Sequence, residues 1–176
     1  MKNKKLLWCL AILVAVLVGC AGFYRYQRVN ARLRQNGVTQ EVVFHKKEWV
    51  HAYHTSFIIH KAEVQKTGRE VKATIQLSIK QNGQPNYGMK KNNQDFLTNM
   101  FLNNPYGISN QSNNIYDHNQ RRVDPSKALT KKLYKQPYTI YFTIPRSSYE
   151  LREQKLRFSF LVPVKNHFVK YSLLLE

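Results

Sequence analysis

The strongest constraint on the fold is an alternation of apolar and polar side chains with a period of two. Such alternation puts the apolar residues on one face of a β-strand, whereas a helix repeats every 3.6 residues. It is clearest where polar residues separate five apolar positions, namely Val71, Ala73, Ile75, Leu77 and Ile79. This pattern predicts a half-buried antiparallel strand that ends at the turn signal Gln81-Asn82-Gly83.

The same period recurs in several segments beyond residue 40. Tyr138 to Ile144 and Leu156 to Val162 each alternate and each stop at a proline, which cannot donate to a sheet ladder. Leu156 to Val162 and Val169 to Leu175 flank a short turn, so they predict a hairpin. Two further segments are strand-like, Glu41 to Phe44 and Trp49 to Val64. In the longer one we expect one face to carry Ile58, His60, Ala62 and Val64.

Strands of this number and spacing predict an all-β fold, an immunoglobulin-like two-sheet antiparallel sandwich preceded by an N-terminal hydrophobic helix. Hydrophobic residues make up 43% of the chain, which is enough for a core. The chain has no cysteine after Cys20, so the sequence excludes a disulfide framework and a Cys-ligated zinc site in this domain. A long Asn-rich insertion occupies about 82–137. Within it, we expect Asp95 to Leu102 to form a short strand or helix and Ser126 to Leu133 a helical turn.

The N-terminus has the layout of a secretory signal. Lys2, Lys4 and Lys5 precede an uninterrupted apolar stretch from Leu6 to Val18. The next residues complete Leu17-Val18-Gly19-Cys20, which resembles a bacterial lipobox. That resemblance implies acylation of Cys20, which would then become the mature N-terminus.

An uncleaved membrane anchor is the alternative. The uncharged run from Leu6 to Tyr24 is nineteen residues long, close to the 20 or so that span a bilayer as a helix. Both interpretations divide the chain into a signal or anchor (1–24), a basic juxtamembrane segment (25–39) and the sandwich (40–176). Both put the sandwich on the extracytoplasmic face of the cell membrane. Basic residues flank the run on both sides, so an inside orientation stays open.

The juxtamembrane segment is expected to be a short basic helix from Arg25 to Asn36, ended by Gly37. Arg25, Arg28 and Arg32 recur at three- and four-residue steps and therefore share one face. We expect this face to contact the headgroups of membrane lipid, although a solvated spacer would have the same composition.

The whole chain is strongly basic, with 28 Lys and Arg against 10 Asp and Glu, a net charge of +18. This field favours polyanionic partners. The predicted anion- or partner-binding residues lie in the insertion, interleaved with tyrosines: Lys90, Lys91, Arg121, Arg122, Lys127, Lys131 and Lys132. For an exported protein, an anionic cell-wall polymer, lipid or an envelope protein ranks above nucleic acid. A merely solubilising surface is the alternative.

The sequence carries no recognisable enzyme signature. It has six histidines, of which His51 and His54 form the one close pair, and their odd spacing would put them on opposite faces of a strand. It also lacks a phosphate loop, a nucleophile elbow and a cysteine nucleophile in the domain. We therefore expect a non-enzymatic protein without metal or cofactor. An envelope hydrolase with two distant carboxylates stays open as a lesser alternative.

Taken together, these segments resemble a known family. A lipobox-like signal is followed by a strand closing in Asn-Gly (Val71 to Gly83), by Tyr138 to Pro145 ending in Phe-x-Ile-Pro, and by the C-terminal hairpin. This order resembles the immunoglobulin-like extracytoplasmic domain of small lipoproteins and secreted proteins of Gram-positive bacteria. The resemblance implies a tethered binding or accessory protein without assigned activity. A single-span subunit of an envelope secretion or conjugation complex is the alternative.

Overall fold

The computed structural model describes residues 2–84, 86–88, 92–104, 109–112, 114–130, 136–151 and 154–175 of the chain. The chain forms two compact units that divide between Gly37 and Val38. Each unit has its own secondary structure.

The first unit is a single helix, α1 (Lys2–Asn36), of 35 residues. Its segment Leu10–Ala31, 22 residues, is long and apolar enough to cross a membrane, since it would extend about 33 Å. The helix ends one residue before Gly37, as expected from the sequence. The separate basic helix that we expected from Arg25 is instead a continuation of the apolar one. No proline interrupts the sequence there, so the hydrogen-bond ladder continues.

The second unit is a β-sandwich, which confirms the predicted fold class. One sheet has the order β1-β11-β10-β5-β6 and the other β2-β3-β4-β9-β7-β8. The strands are β1 (Val38–Val43), β2 (Val50–Ala52), β3 (Thr55–Thr67), β4 (Glu70–Gln81), β5 (Met100–Asn103), β6 (Ser109–Gln111), β7 (Ile115–Tyr116), β8 (Arg122–Val123), β9 (Tyr138–Pro145), β10 (Arg157–Val164) and β11 (His167–Leu174). The described part of this unit also contains a 3₁₀ helix (Phe96–Asn99), α2 (Pro125–Thr130) and α3 (Arg146–Glu150).

The strand order is that of an immunoglobulin domain. The series β3-β4-β9-β7 corresponds to strands A, B, E and D, and β11-β10-β5-β6 corresponds to G, F, C and C′. All these neighbours pair antiparallel. The pair β1–β11 is the exception, because its strands are parallel. The insertion at 82–137 is therefore the part of the sandwich that supplies β5 to β8, together with the 3₁₀ helix and α2.

Apolar side chains from both sheets meet in one core. The five alternating positions of β4 are all 2% exposed or less, as their period predicted. Phe57 of β3 is fully buried and makes edge-to-face contacts with Phe44, Phe160 and Tyr171, at centroid distances of 5.4, 5.2 and 5.7 Å. Aromatic pairs of this geometry add about 0.5–1.5 kcal/mol each to the stability gained from burial.

The predicted face of β3 was wrong in its first half. Phe57 and Ile59 point into the core, and the register shifts between Ile59 and Lys61. This bulge places one extra residue, His60, in the strand, so that Ala62 then returns to the inner face. His60 Nε2 lies 2.9 Å from Ser78 Oγ on the neighbouring strand.

A polar network joins β1 to the rest of its sheet. The Oε1 atom of Glu41 accepts a hydrogen bond from Ser172 Oγ at 2.6 Å and lies 3.1 Å from Lys170 Nζ and 3.5 Å from Arg157 Nη1. The hydrogen bond from Ser172 is the main cause that lowers the pKa of Glu41 below the ordinary 4.5, and the two cations act in the same direction.

We predict that Glu41 makes the stability of the sandwich depend on pH. Because its pKa is lowered on folding, its contribution is fully present above the unfolded pKa near 4.5 and is lost as the pH falls through the folded value. The urea midpoint of the wild type should therefore exceed that of Glu41→Gln at pH 6, and the difference should shrink towards pH 3. Glu63→Gln, which removes an exposed pairing with Lys61, serves as the control. A constant difference across this range would contradict the assignment.

Candidate functional site

Several loops gather at one end of the sandwich. Strand β4 ends at Gln81, which pairs with Thr55 at the start of β3. Strand β9 starts at Tyr138, which pairs with Leu77 near the same end of β4. Because β7 runs antiparallel to β9, the segment after Tyr116 leaves the sheet there as well. The loops that follow β4 and β7 and the segment that leads into β9 therefore share this end.

A pocket of about 740 Å³ lies among these loops, and we call it the Arg122 pocket. Its volume falls within the range of small-molecule sites, about 300–1,000 Å³. It is lined by Asp117, His118, Arg122, Val123, Asp124, Pro125, Lys127, Gln136, Pro137 and Tyr138.

Two aspartates shape the loops of this pocket. Asp117 Oδ1 accepts hydrogen bonds from the backbone N–H groups of Asn119 and Arg121, both at 2.9 Å, and so fixes the turn between β7 and β8. Asp124 Oδ1 accepts from the N–H of Ser126 at 2.9 Å and from its hydroxyl at 2.7 Å, and so caps α2. These bonds from Ser126 lower the pKa of Asp124. The backbone that carries Arg122 and Lys127 is thereby held in place.

The hydroxyl of Tyr138 is the unusual group of the pocket. It is buried and has no hydrogen-bond partner within the part of the chain that the structure describes. Burial is the main cause that raises the pKa of Tyr138, and the negative charge of Asp117 raises it further. The phenol therefore remains neutral and can donate. A buried polar group without a partner costs about 1–3 kcal/mol.

The structure brings together part of the predicted anion-binding set. Arg122 and Lys127 line the pocket, and Arg121 is exposed in the adjacent turn. Lys90, Lys91, Lys131 and Lys132 lie outside the described residues. Sequence reasoning missed Tyr138, because its period marked it only as a core position. The two capping aspartates could have been found from their Asp-x-Asn and Asp-x-Ser spacing, which is typical of side chains that cap turns and helices.

The tyrosines of the insertion divide between surface and core. The ring of Tyr116 lies 5.4 Å from that of Tyr141, and Lys72 Nζ lies 4.0 Å above the Tyr141 ring, all on the outer face of the sheet. Tyr87 belongs to the core, since it is 1% exposed and stacks on Phe160 with centroids 5.8 Å apart. Tyr106 and Tyr134 are outside the described residues.

The predicted membrane residues lie on α1. Cys20 is exposed on this helix as a free cysteine. Arg25 and Arg28 are exposed and three residues apart, so they lie on the same helix face. The side chain of Arg32 is not among those described.

Two of the histidines lie next to serines. His51 Nδ1 is 3.2 Å from Ser56 Oγ, and His60 bonds Ser78, whereas His54 lies in the β2–β3 turn. Among the described residues, no group of three or more His, Cys, Asp or Glu side chains could hold a metal ion. Asp117 and Asp124 do line one pocket, as a two-carboxylate hydrolase would require.

The comparisons with known proteins add no family to this description. No match was found among family models, curated proteins or solved structures.

We predict opposite effects from removing two buried tyrosine hydroxyls. Tyr138→Phe should leave the free energy of unfolding unchanged or raise it by up to about 1 kcal/mol, because an unpartnered hydroxyl is removed. Tyr87→Phe is the matched control, since its hydroxyl donates to Gln81 Oε1 at 2.8 Å, and it should cost about 0.5–1.5 kcal/mol. Urea unfolding of both variants measures this. A loss of more than 1 kcal/mol in Tyr138→Phe would show that its hydroxyl is satisfied.

Proposed function

We propose that this chain is a non-enzymatic binding protein, held at the extracytoplasmic face of a membrane by its N-terminus, whose sandwich binds an anionic envelope polymer in the Arg122 pocket. The observation that carries the proposal is the convergence of Arg122 and Lys127 on one pocket. Both cations can bond to phosphate or carboxylate oxygens, and one oxygen of each lining carboxylate, Asp117 and Asp124, is already engaged by N–H or hydroxyl donors of its own loop.

The charge of the chain supports this ligand class. A net charge of +18 attracts polyanions from a distance, while the pocket supplies directed contacts. The apolar helix α1 supports membrane attachment, because 22 of its residues can cross a bilayer. Arg25 and Arg28 lie in the C-terminal third of this segment, and we infer that their long side chains extend to the lipid headgroups.

We predict that removing the two cations of the pocket weakens polyanion binding. The full-length protein, reconstituted in nanodiscs of neutral lipid, is titrated into fluorescently labelled inorganic polyphosphate at fixed ionic strength. Arg122→Gln/Lys127→Gln should bind about tenfold or more weakly, because each charge-assisted hydrogen bond contributes about 1.5–3 kcal/mol. Fluorescence anisotropy reports the change.

The matched control removes the same charge elsewhere. Lys46 and Lys61 are exposed and do not line the pocket, so Lys46→Gln/Lys61→Gln should weaken binding by no more than about threefold through the general field. Equal losses of affinity in the two double variants would mean that polyphosphate binding depends only on the net charge of the protein. That result would overturn the proposed pocket.

A second candidate function is that of a single-span subunit in an envelope secretion or conjugation complex. The continuity of α1 through Cys20 to Asn36 favours it, because an uncleaved helix of this length could both span a membrane and pack against partner helices. It differs from the lipoprotein hypothesis in the fate of Cys20.

The intact mass of protein extracted from the membranes of a Gram-positive host separates the two hypotheses. A chain that begins at Cys20 with a diacylglyceryl group, and that is lost when lipoprotein signal peptidase is inhibited, supports the lipoprotein. A chain that begins at Met1 and is unaffected by the inhibitor would instead favour the membrane-complex subunit. The variant Cys20→Ser should remove any inhibitor effect, and it serves as the control.

A further inference from the structure

A second pocket lies at the same end of the sandwich and differs in chemistry from the first. It measures about 360 Å³, which is within the range of small-molecule sites. Four side-chain amides and two tyrosines line it, and we call it the amide pocket: Tyr53, Gln81, Gln84, Asn86, Tyr87 and Asn92.

Backbone and side-chain hydrogen bonds fix the loops of the amide pocket. His54 O accepts from the N–H of Asn82 at 2.8 Å, which joins the β2–β3 turn to the segment after β4. Asn86 Oδ1 accepts from the N–H of Asn92 at 3.2 Å, and the N–H of Tyr87 donates to Asn93 O at 2.9 Å. These hydrogen bonds restrict the segments that carry the amides. Restricted segments lose less conformational entropy when a ligand binds.

The location is one that immunoglobulin-like domains use for recognition. In the strand correspondence, the pocket is formed by the B–C loop, which follows β4, by the F–G turn at Lys165, and by the β2–β3 turn, which supplies Tyr53. The B–C loop and the F–G turn lie at the end of the sandwich that carries the binding loops of antibody variable domains.

The side chains of the pocket suit a ligand rich in hydroxyl groups. Each amide offers both a donor and an acceptor, which can pair with the hydroxyls of a sugar. Tyr53 is 44% exposed, and its ring, whose centroid lies 3.9 Å from that of the His54 ring, can cover the apolar face of a pyranose. Tyr87 donates to Gln81 Oε1 at 2.8 Å, which fixes the orientation of that amide. Burial raises the pKa of Tyr87 to about 12, so this donor is retained.

The lining also disfavours a charged ligand. The pocket-lining residues that the structure describes include no carboxylate, and Lys165 is the one residue among them with a permanent charge. We propose that the amide pocket binds one or two units of a neutral oligosaccharide, and this proposal does not depend on the function proposed for the Arg122 pocket.

The test uses full-length protein in neutral nanodiscs and two probes, chitotetraose and maltotetraose, titrated by calorimetry. We expect at least one of the two to bind. Tyr53→Ala should weaken that binding at least fivefold, because the stacking surface is lost, and Gln84→Ala should weaken it by a similar factor. Both side chains are exposed, so the variants should unfold at the wild-type temperature.

Two controls make the result specific. Trp49→Ala removes an exposed aromatic ring that does not line the pocket, and it should change the dissociation constant less than twofold. Arg122→Gln/Lys127→Gln should also bind the oligosaccharide normally, whether or not it loses polyphosphate. The proposal is overturned if neither oligosaccharide binds, if Tyr53→Ala and Gln84→Ala both bind as the wild type does, or if the Arg122/Lys127 variant alone abolishes binding.

Discussion

The fold depends on the contact between Phe57 and the aromatic residues of the opposite sheet. Phe57 belongs to β3, whereas Phe160 and Tyr171 belong to β10 and β11, so their edge-to-face packing holds the two layers together. The sandwich has no cysteine, and no cross-link can substitute for this contact. Burial of each large apolar side chain contributes about 1.5–3 kcal/mol, which makes the core the main source of cohesion.

The same aromatic cluster reaches the end of the sandwich where the two pockets lie. Tyr87 stacks on Phe160 and packs edge-to-face against Phe96. These contacts anchor the loop after β4 to the core. The hydroxyl of Tyr87 extends to Gln81 at the edge of the amide pocket. One residue thus links core packing to the arrangement of the amide pocket. The Arg122 pocket is organised differently, since the carboxylates of Asp117 and Asp124 accept backbone hydrogen bonds that shape its loops.

The sequence predicted most strands because their inward positions alternate, as in β4 and β9. The prediction failed where a β-bulge interrupted this alternation. At His60, one extra residue reverses which side chains of β3 face the core. The sequence also could not show that β1 pairs parallel with β11, because that contact joins residues more than a hundred positions apart. Arg122 and Lys127 were predictable from composition, whereas Tyr138 was not. A tyrosine on an apolar face is indistinguishable from other core residues until the surroundings of its hydroxyl are known.

The parallel pair β1–β11 is the part of the sandwich on which a pulling force from the N-terminal helix first acts. Gly37 alone separates the end of α1 from the start of β1, so tension applied through the helix reaches the sandwich first at this strand. The ladder there includes the hydrogen bond from Phe44 N to Ser172 O, and the contacts of Glu41 with three side chains add cross-links along it. Detachment of β1 therefore requires these hydrogen bonds and ion pairs to break, whereas the contacts of Phe57 with Phe160 and Tyr171 do not involve β1.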